Sequence, residues 1–318
     1  MPFTPSEPIT HKAPPQVRNA PLQGALAVVA TPLGNLEDLS DRARATLRDA
    51  DLILAEDTRT VRRLLSESGS ARSGQLILSC FDGNEDARAQ EAVQRISDGQ
   101  TVALVSEAGT PLVSDPGFRV VTAIIAAGLR VRPIPGPSAL LAALMGAGIA
   151  PDHFTFLAFP PRKPGARRRL FDSLKSSPFT LVFYESPLRT AETLKDLAAA
   201  LGGRRRACVA RELTKIHEEF VRGSLDELVA RYQDQRPLGE VTLVVAGLND
   251  PSTEVAVWSD EDVTEEAREL LATGMSARDV ADRLAETIPR ARREIYKLAT
   301  AIANAGATDS ASPDDDAP

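Results

Sequence analysis

Apolar residues recur along this chain in two alternating rhythms. Short apolar-rich runs at residues 25–30, 52–56, 75–79, 101–105 and 130–134 read as strands, because four to six largely apolar positions bounded by turn formers suit a strand in a covered sheet. Between them, stretches 39–48, 58–65, 85–98 and 117–127 space their apolar side chains three and four apart, as one face of a helix does. This alternation predicts an α/β domain on a largely parallel sheet. The helix after PGPSA (135–139) carries Leu140, Leu141, Leu144 and Met145 and is expected to be buried.

A second α/β block follows, with strands expected at 154–159, 180–185, 206–211 and 240–246 and helices at 187–201 and 224–232. The boundary is placed at 149–152, where Gly148 and Pro151 end the preceding helix. Beyond 250 come amphipathic stretches 261–272, 276–286 and 290–303, separated by turns at Gly274 and Pro289. They predict a small helical unit, open to a helix-turn-helix reading or to a plain helical cap. The expected organisation is a Pro-rich disordered leader (1–23), an N-terminal α/β domain (24–149), a C-terminal α/β domain (150–250), a helical unit (251–304) and an acidic disordered tail (305–318).

Composition narrows the classes. With 318 residues, 43% hydrophobic and 25% charged, the chain reads as a soluble protein of about two domains. No apolar stretch approaches the roughly 18 residues of a membrane span, and the first 21 residues lack a signal-peptide core, so no membrane association is expected and the location is read as cytoplasmic. Cys80 and Cys208 are too few for a disulfide framework and are expected to be buried and reduced; with His11, His153 and His217 scattered, no metal is expected. The net charge of -7 argues against a generic nucleic-acid binder with a broad basic field. Arg162, Lys163, Arg167, Arg168 and Arg169 nevertheless cluster, and Arg204, Arg205 and Arg206 form a second run; a solvated face explains either run without a ligand.

In open α/β sheets, ligands bind beyond the carboxyl ends of the strands. The loops there are TPLGNLEDLS (31–40), EDTR (56–59), SEAGTPLVSDPG (106–117), PGPSA (135–139), YESPLR (184–189) and RELTK (211–215). The first lacks the G-x-G-x-x-G fingerprint and no P-loop lysine motif occurs, which removes the main support for nicotinamide or nucleoside-triphosphate chemistry. A crevice of Gly, Pro, Ser and Thr suits a nucleoside ligand gripped by backbone groups. Any one such loop is explained by a tight turn alone; several on one sheet edge favour a site. Methyl transfer fits, because S-adenosyl-L-methionine brings its own electrophile and leaving group and the protein mainly supplies position.

ATPLGNLEDLSDRA, AEDTR, SEAGTPLVSDPGF, IPGPSALLAAL, FYESPLR and ARELTKIHEEFVRGS resemble, in order, the landmarks of the ribosomal-RNA-methylating branch of the tetrapyrrole methylase superfamily. The likeness runs from about 24 to 247 and includes REIYKLA (293–299). It implies two α/β domains of tetrapyrrole-methylase type with S-adenosyl-L-methionine in the cleft between them, a homodimer, and 2′-O-methylation of a cytidine in the decoding region of 16S ribosomal RNA within the small subunit. By motif position it assigns Pro32 and Leu33, Glu107, Thr110 and Val113, Ser138 and Ala139, and Tyr184 and Glu185 to the cofactor. Leu33 replaces a cofactor-contacting proline, and Thr110 an aspartate of the tetrapyrrole enzymes; Glu107 stands where aspartate is more usual.

A ribose 2′-hydroxyl needs its proton removed during attack. Glu212 is the leading candidate base, with Lys215 either neutral as base or charged to hold a phosphate or hydroxyl; Glu56 and Asp57 are rivals. Arg59, Arg162, Lys163 and Arg189 are expected to meet RNA phosphates. Phe159, Phe183 and Tyr184 are the nearest rings for stacking, and strand alternation puts at least one in the core. The competing readings are a tetrapyrrole or modified-protein methyltransferase of the same superfamily, and a non-catalytic RNA binder in ribosome assembly.

Overall fold

The computed structural model describes residues 23–248, 260–285 and 290–308. The expected leader up to residue 22 and the acidic tail beyond 308 lie outside the described residues. The first sheet consists of β1 Ala25–Val29, β2 Leu52–Ala55, β3 Leu76–Ser79, β4 Thr101–Val105 and β5 Arg130–Ile134. All pairs are parallel, in the order β3-β2-β4-β1-β5. Helices α1 Asp41–Asp49 and α2 Thr58–Glu67 cover one face; α3 Glu85–Ser97 and α4 Phe118–Ala126 cover the other. In β2, Ile53 and Ala55 therefore face α1 and α2 while Leu52 and Leu54 face α3 and α4, which is why the run is apolar without a break. From β1 the chain steps toward β2 and β3; from β4 it steps the other way, to β5. The order reverses between β1 and β4, and it is at the carboxyl ends of strands at such a reversal that open α/β sheets bind ligands.

The second half contains α5 Ala139–Ala147, β6 Phe154–Phe156, α6 Pro164–Ser173, β7 Thr180–Glu185, α7 Thr190–Leu201, β8 Arg206–Arg211, β9 Glu219–Ser224, α8 Leu225–Tyr232 and β10 Val241–Val245. The sheet order is β6-β7-β10-β8-β9, with only β6 and β7 parallel. Two elements escaped the sequence pattern. The amphipathic face of α6 is masked by its arginines, yet Pro164 at its first position starts a helix that buries Phe171 against Phe183, centroids 5.6 Å apart. β9 is an edge strand, partly exposed throughout, so it lacks the apolar run that marks its neighbours.

The expectation for the helix after PGPSA is corrected. α5 buries Ala143, Leu144 and Ala147 against Val182, Cys208, Ala210 and Val244 of the second sheet, but Leu141 and Met145 point away and are 51% and 87% exposed. Among the described residues, the partner of α5 is the second sheet with Leu33, on the face that carries Ala143, Leu144 and Ala147. This helix, which precedes the expected domain boundary, thus packs on the second sheet, and Leu33 from the loop after β1 joins the same cluster. The opposite face of that sheet packs on α6, α7 and α8.

α9 Asp260–Ala272, α10 Ala277–Ala285 and α11 Arg292–Thr308 enclose their own small core of Val263, Ala267, Val280, Leu284, Ile295 and Ala299. Arg204 bonds Glu266 and ties this unit to the second domain. Cys80 and Cys208 are buried and unpaired, and burial pushes each thiol up to about 11. Among the described residues, no helix is long and apolar enough to cross a membrane.

Candidate functional site

Three loops are stitched together over the crevice. Thr31 and Gly109 exchange backbone hydrogen bonds of 2.8 and 3.0 Å, joining the loops after β1 and β4. The Thr110 hydroxyl donates to the Pro137 carbonyl at 2.9 Å, adding the loop after β5. Gly109 has φ +75°, and a Cβ there would approach Leu33 Cδ2 to 3.0 Å, so both conformation and space call for glycine. Leu112 and Ser114 also adopt positive φ, a cost that the surrounding stitches must hold.

One positioning residue had no sequence signal. Glu85, at the start of α3, is buried, and its Oε1 accepts from the Gly117 and Arg119 amides at 3.0 and 2.6 Å. It caps α4 in place of a local side chain and fixes the far end of the 106–117 loop. Only the tertiary fold brings a residue 32 positions away to that helix end.

Carboxylates gather at the strand ends. Burial raises the Glu56 pKa, helped by Glu107, Asp115 and Asp82; burial also raises Asp115, against a hydrogen bond from Ser106 and with help from Glu107. Asp57 is different: it caps α2 and binds Arg59 at 2.7 Å, which holds its carboxyl down to about 2. That placement makes Asp57 the cap of α2.

The second domain contributes an aromatic wall. Tyr184 packs edge-on against Phe156 at 4.9 Å and tilted against the exposed Phe159 at 5.7 Å, while Phe183, one residue earlier, is wholly buried on the other sheet face. Burial raises the Tyr184 pKa; the Leu140 amide bonds its oxygen, and Asp115 of the first domain lies near enough to act on it. Tyr184, Ser138 and Ala139 therefore share the start of α5. Glu185 lies beside them but its carboxylate is buried, accepting from the Thr193 hydroxyl at 2.6 Å and the Ser186 amide at 2.7 Å. Its side chain holds the strand end together.

Glu212 and Lys215 meet in the RELTK turn, where Glu212 (φ +51°) and Thr214 (φ +66°) adopt the left-handed conformation. Lys215 Nζ donates to Glu212 Oε1 at 2.9 Å and to Glu240 Oε2 at 3.3 Å. The Lys215 bond lowers the Glu212 pKa below the usual carboxylate range; the Lys215 pKa is raised, its carboxylate partners outweighing its partial burial. Both shifts favour the charged pair, Lys215 as an ammonium and Glu212 as a carboxylate. The lysine stem lies over the loop after β1, where a Cβ on Gly34 would come within 2.3 Å of Lys215 Cγ.

The basic candidates divide. Arg162 and Lys163 are exposed ahead of α6. Arg59 is exposed but held by Asp57, and Arg189 spends its guanidinium on the Pro160 and Pro161 carbonyls at 2.8 and 3.2 Å. Arg167 is buried against Asp196 at 2.7 Å, and Arg205 is buried with its guanidinium on the Lys175 carbonyl, so neither arginine run is a uniform surface patch.

A parallel sheet with its strand-end loops stitched together, joined to a second mixed sheet through α5 and Leu33, defines a tetrapyrrole-methylase-type protein. Residues 25–229 match the family of tetrapyrrole (corrin/porphyrin) methylases. A solved structure of the methyltransferase CobJ superposes with a TM-score of 0.54 at 22% identity, covering 70% of this chain and 94% of that one, which supports the fold. Ribosomal RNA small subunit methyltransferase I of Synechocystis sp. is 42% identical over 275 residues, 86% of this chain and 97% of that protein. Its namesake from Xylella fastidiosa is 50% identical over 230 residues, 71% of this chain and 83% of that protein. The chain belongs to the ribosomal RNA small subunit methyltransferase I family.

Proposed function

We propose that this protein transfers a methyl group from S-adenosyl-L-methionine to the ribose 2′-hydroxyl of a cytidine in the decoding region of 16S ribosomal RNA, acting as a cytoplasmic homodimer on the small subunit. The observation that carries the reading is the 42% identity with a ribosomal RNA methyltransferase over nearly its whole length. The crevice chemistry supports the cofactor. Its loops offer backbone groups at 31–33, 107–113 and 136–140, Gly109 and Gly136 leave room where a Cβ would crowd Leu33 and Ala30, and Glu56, Glu107 and Asp115 suit a ligand with positive charge. Pro32, Leu33, Glu107, Thr110, Val113, Ser138, Ala139 and Tyr184 would line the cofactor, with Glu185 acting through its backbone.

When bound, the cofactor supplies an electrophilic methyl and departs as a neutral thioether. The chain must orient the 2′-hydroxyl and accept its proton as the new O–C bond forms. Glu212 takes that proton, and the Lys215 ammonium holds Glu212 in place and faces the ribose or its phosphate. Arg162 and Lys163, together with Arg59 and Arg189 where their present partners release them, meet the RNA backbone.

The test is methyl transfer from labelled S-adenosyl-L-methionine to small ribosomal subunits lacking the modification, with the product mapped by nuclease digestion and mass spectrometry. A methyl on one decoding-region cytidine ribose is expected, with a loss of about 10²–10⁴-fold in kcat for Glu212→Gln. Cofactor binding with no RNA labelling would overturn the reading in favour of a tetrapyrrole or protein substrate.

A further inference from the structure

The helical unit carries a surface that its own core does not explain. α11 buries Ile295 and Ala299, with Leu298 and Ile302 partly covered, and leaves Arg293, Tyr296 and Lys297 exposed. Residues three and four apart are neighbours on a helix surface, so Arg293 lies one turn below both Tyr296 and Lys297. Tyr296 is 44% exposed, a large aromatic group left in water.

The charges on this face are arranged against local stability. Elsewhere the helical neighbours pair opposite signs: Arg63 with Glu67, Arg95 with Glu91, Arg268 with Glu265. Arg293 and Lys297 stand four apart with like charge, which costs an isolated helix a few tenths of a kcal/mol. Among the described residues neither has a carboxylate partner. Arg292, by contrast, bonds Asp282 and pins the first turn of α11 to α10. Acidic side chains lie instead on α9, where Glu265, Glu266 and Glu269 outnumber Arg268 and Glu266 faces Arg204 of the second domain. The unit is thus polarised, with α9 acidic and the exposed face of α11 basic.

We infer that the Arg293–Tyr296–Lys297 face of α11 is an RNA-docking surface, its two cations on backbone phosphates and its ring against an unpaired base or ribose. Two cations spaced by one helical turn complement a chain of phosphates, and an aromatic ring beside them offers the stacking platform that RNA contacts use. This rests on the ribosomal RNA reading above and adds a second point of attachment outside the methyl-transfer crevice. The surface contributes affinity, whereas the crevice performs the chemistry.

The test uses the full-length protein and isolated small ribosomal subunits lacking the modification, with binding measured by filter retention between 50 and 200 mM salt, separately from methyl transfer. Arg293→Glu/Lys297→Glu is expected to weaken binding by roughly tenfold or more and to reduce the salt slope by about 2, since each phosphate contact contributes about one. Tyr296→Ala should weaken binding with little change in slope. The milder Arg293→Gln/Lys297→Gln pair, with thermal unfolding matched to the parent, guards against loss of fold. In all variants S-adenosyl-L-methionine affinity and kcat at saturating subunits should stay at the parental value, with KM for the subunit raised. Unchanged affinity and slope in both double variants would overturn the docking surface, whatever the methylation assay gives. Face-dependent binding by a parent protein that never methylates the subunit would uphold the docking surface and refute the enzymatic reading instead.

Discussion

The contact between Gly34 and Lys215 offers a direct check on how the two domains share the site. An alanine at Gly34 would place its Cβ 2.3 Å from Lys215 Cγ and 2.8 Å from Cε, against ordinary contacts of 3.4–4 Å, so the lysine stem must retreat by about 1 Å. The bonds of 2.9 and 3.3 Å from Nζ to Glu212 and Glu240 have little slack to absorb that shift. Losing this partly buried pair costs about 1 kcal/mol, and crowding adds about 1 kcal/mol, the low end for overpacking because a lysine can swing aside. Against this, Gly→Ala at a position without positive φ removes unfolded-state freedom and stabilises by about 0.4–1 kcal/mol. The net expectation is a loss of about 1 kcal/mol, a fall of roughly 2–4 °C in Tm. The same substitution made in Lys215→Ala meets no stem and should stabilise, so the sign reverses and the coupling is about 1–2 kcal/mol. Thermal unfolding of the four proteins of this cycle, with methyl transfer measured alongside, decides the matter. Additivity within about 0.5 kcal/mol would refute the contact as the link between the loop after β1 and the RELTK turn.

Further outcomes follow from the same geometry. If Glu212 accepts the proton, kcat/KM falls as pH drops through a pKa below the usual glutamate range, because its carboxylate is the active form and Lys215 stabilises it; Lys215→Gln should move that limb upward. A limb above the usual range in the parent protein would point to Glu56, whose pKa is raised by burial and by Glu107, Asp115 and Asp82. Removing the α4 cap with Glu85→Ala should cost about 1–2 kcal/mol and weaken S-adenosyl-L-methionine binding by calorimetry, with Glu85→Gln recovering most of both. At pH 8 a thiol at about 11 is roughly one-thousandth thiolate, so native Cys80 and Cys208 should resist a disulfide exchange reagent that labels both after unfolding. Rapid labelling of the folded protein would contradict their burial.

The sequence by itself determined the elements whose burial is symmetric or regular. Apolar-rich runs such as 101–105 and 180–185 became strands with those bounds, because a strand covered on both faces is apolar over most of its length, its polar exceptions such as Glu185 being hydrogen-bonded. The glycine- and proline-rich loops were legible for a local reason, since those residues mark turns, and Gly109 and Gly117 indeed adopt positive φ. Arginines hid the helix at 164–173, since a long cationic stem can cover apolar surface without breaking the amphipathic face beneath it. Partnership decided the rest. Whether Leu144 is core and Met145 is surface depends on which face of α5 meets the second sheet, and no local pattern in an all-apolar helix can say. Charge roles were likewise settled in three dimensions: Arg167 is a buried partner of Asp196, while Arg162, five residues earlier, is exposed. Residue type announced the chemistry available to the crevice, and long-range packing selected which side chains remain free to perform it. A side chain's energy depends on the neighbours that displace its water, and the fold brings those neighbours from distant parts of the chain.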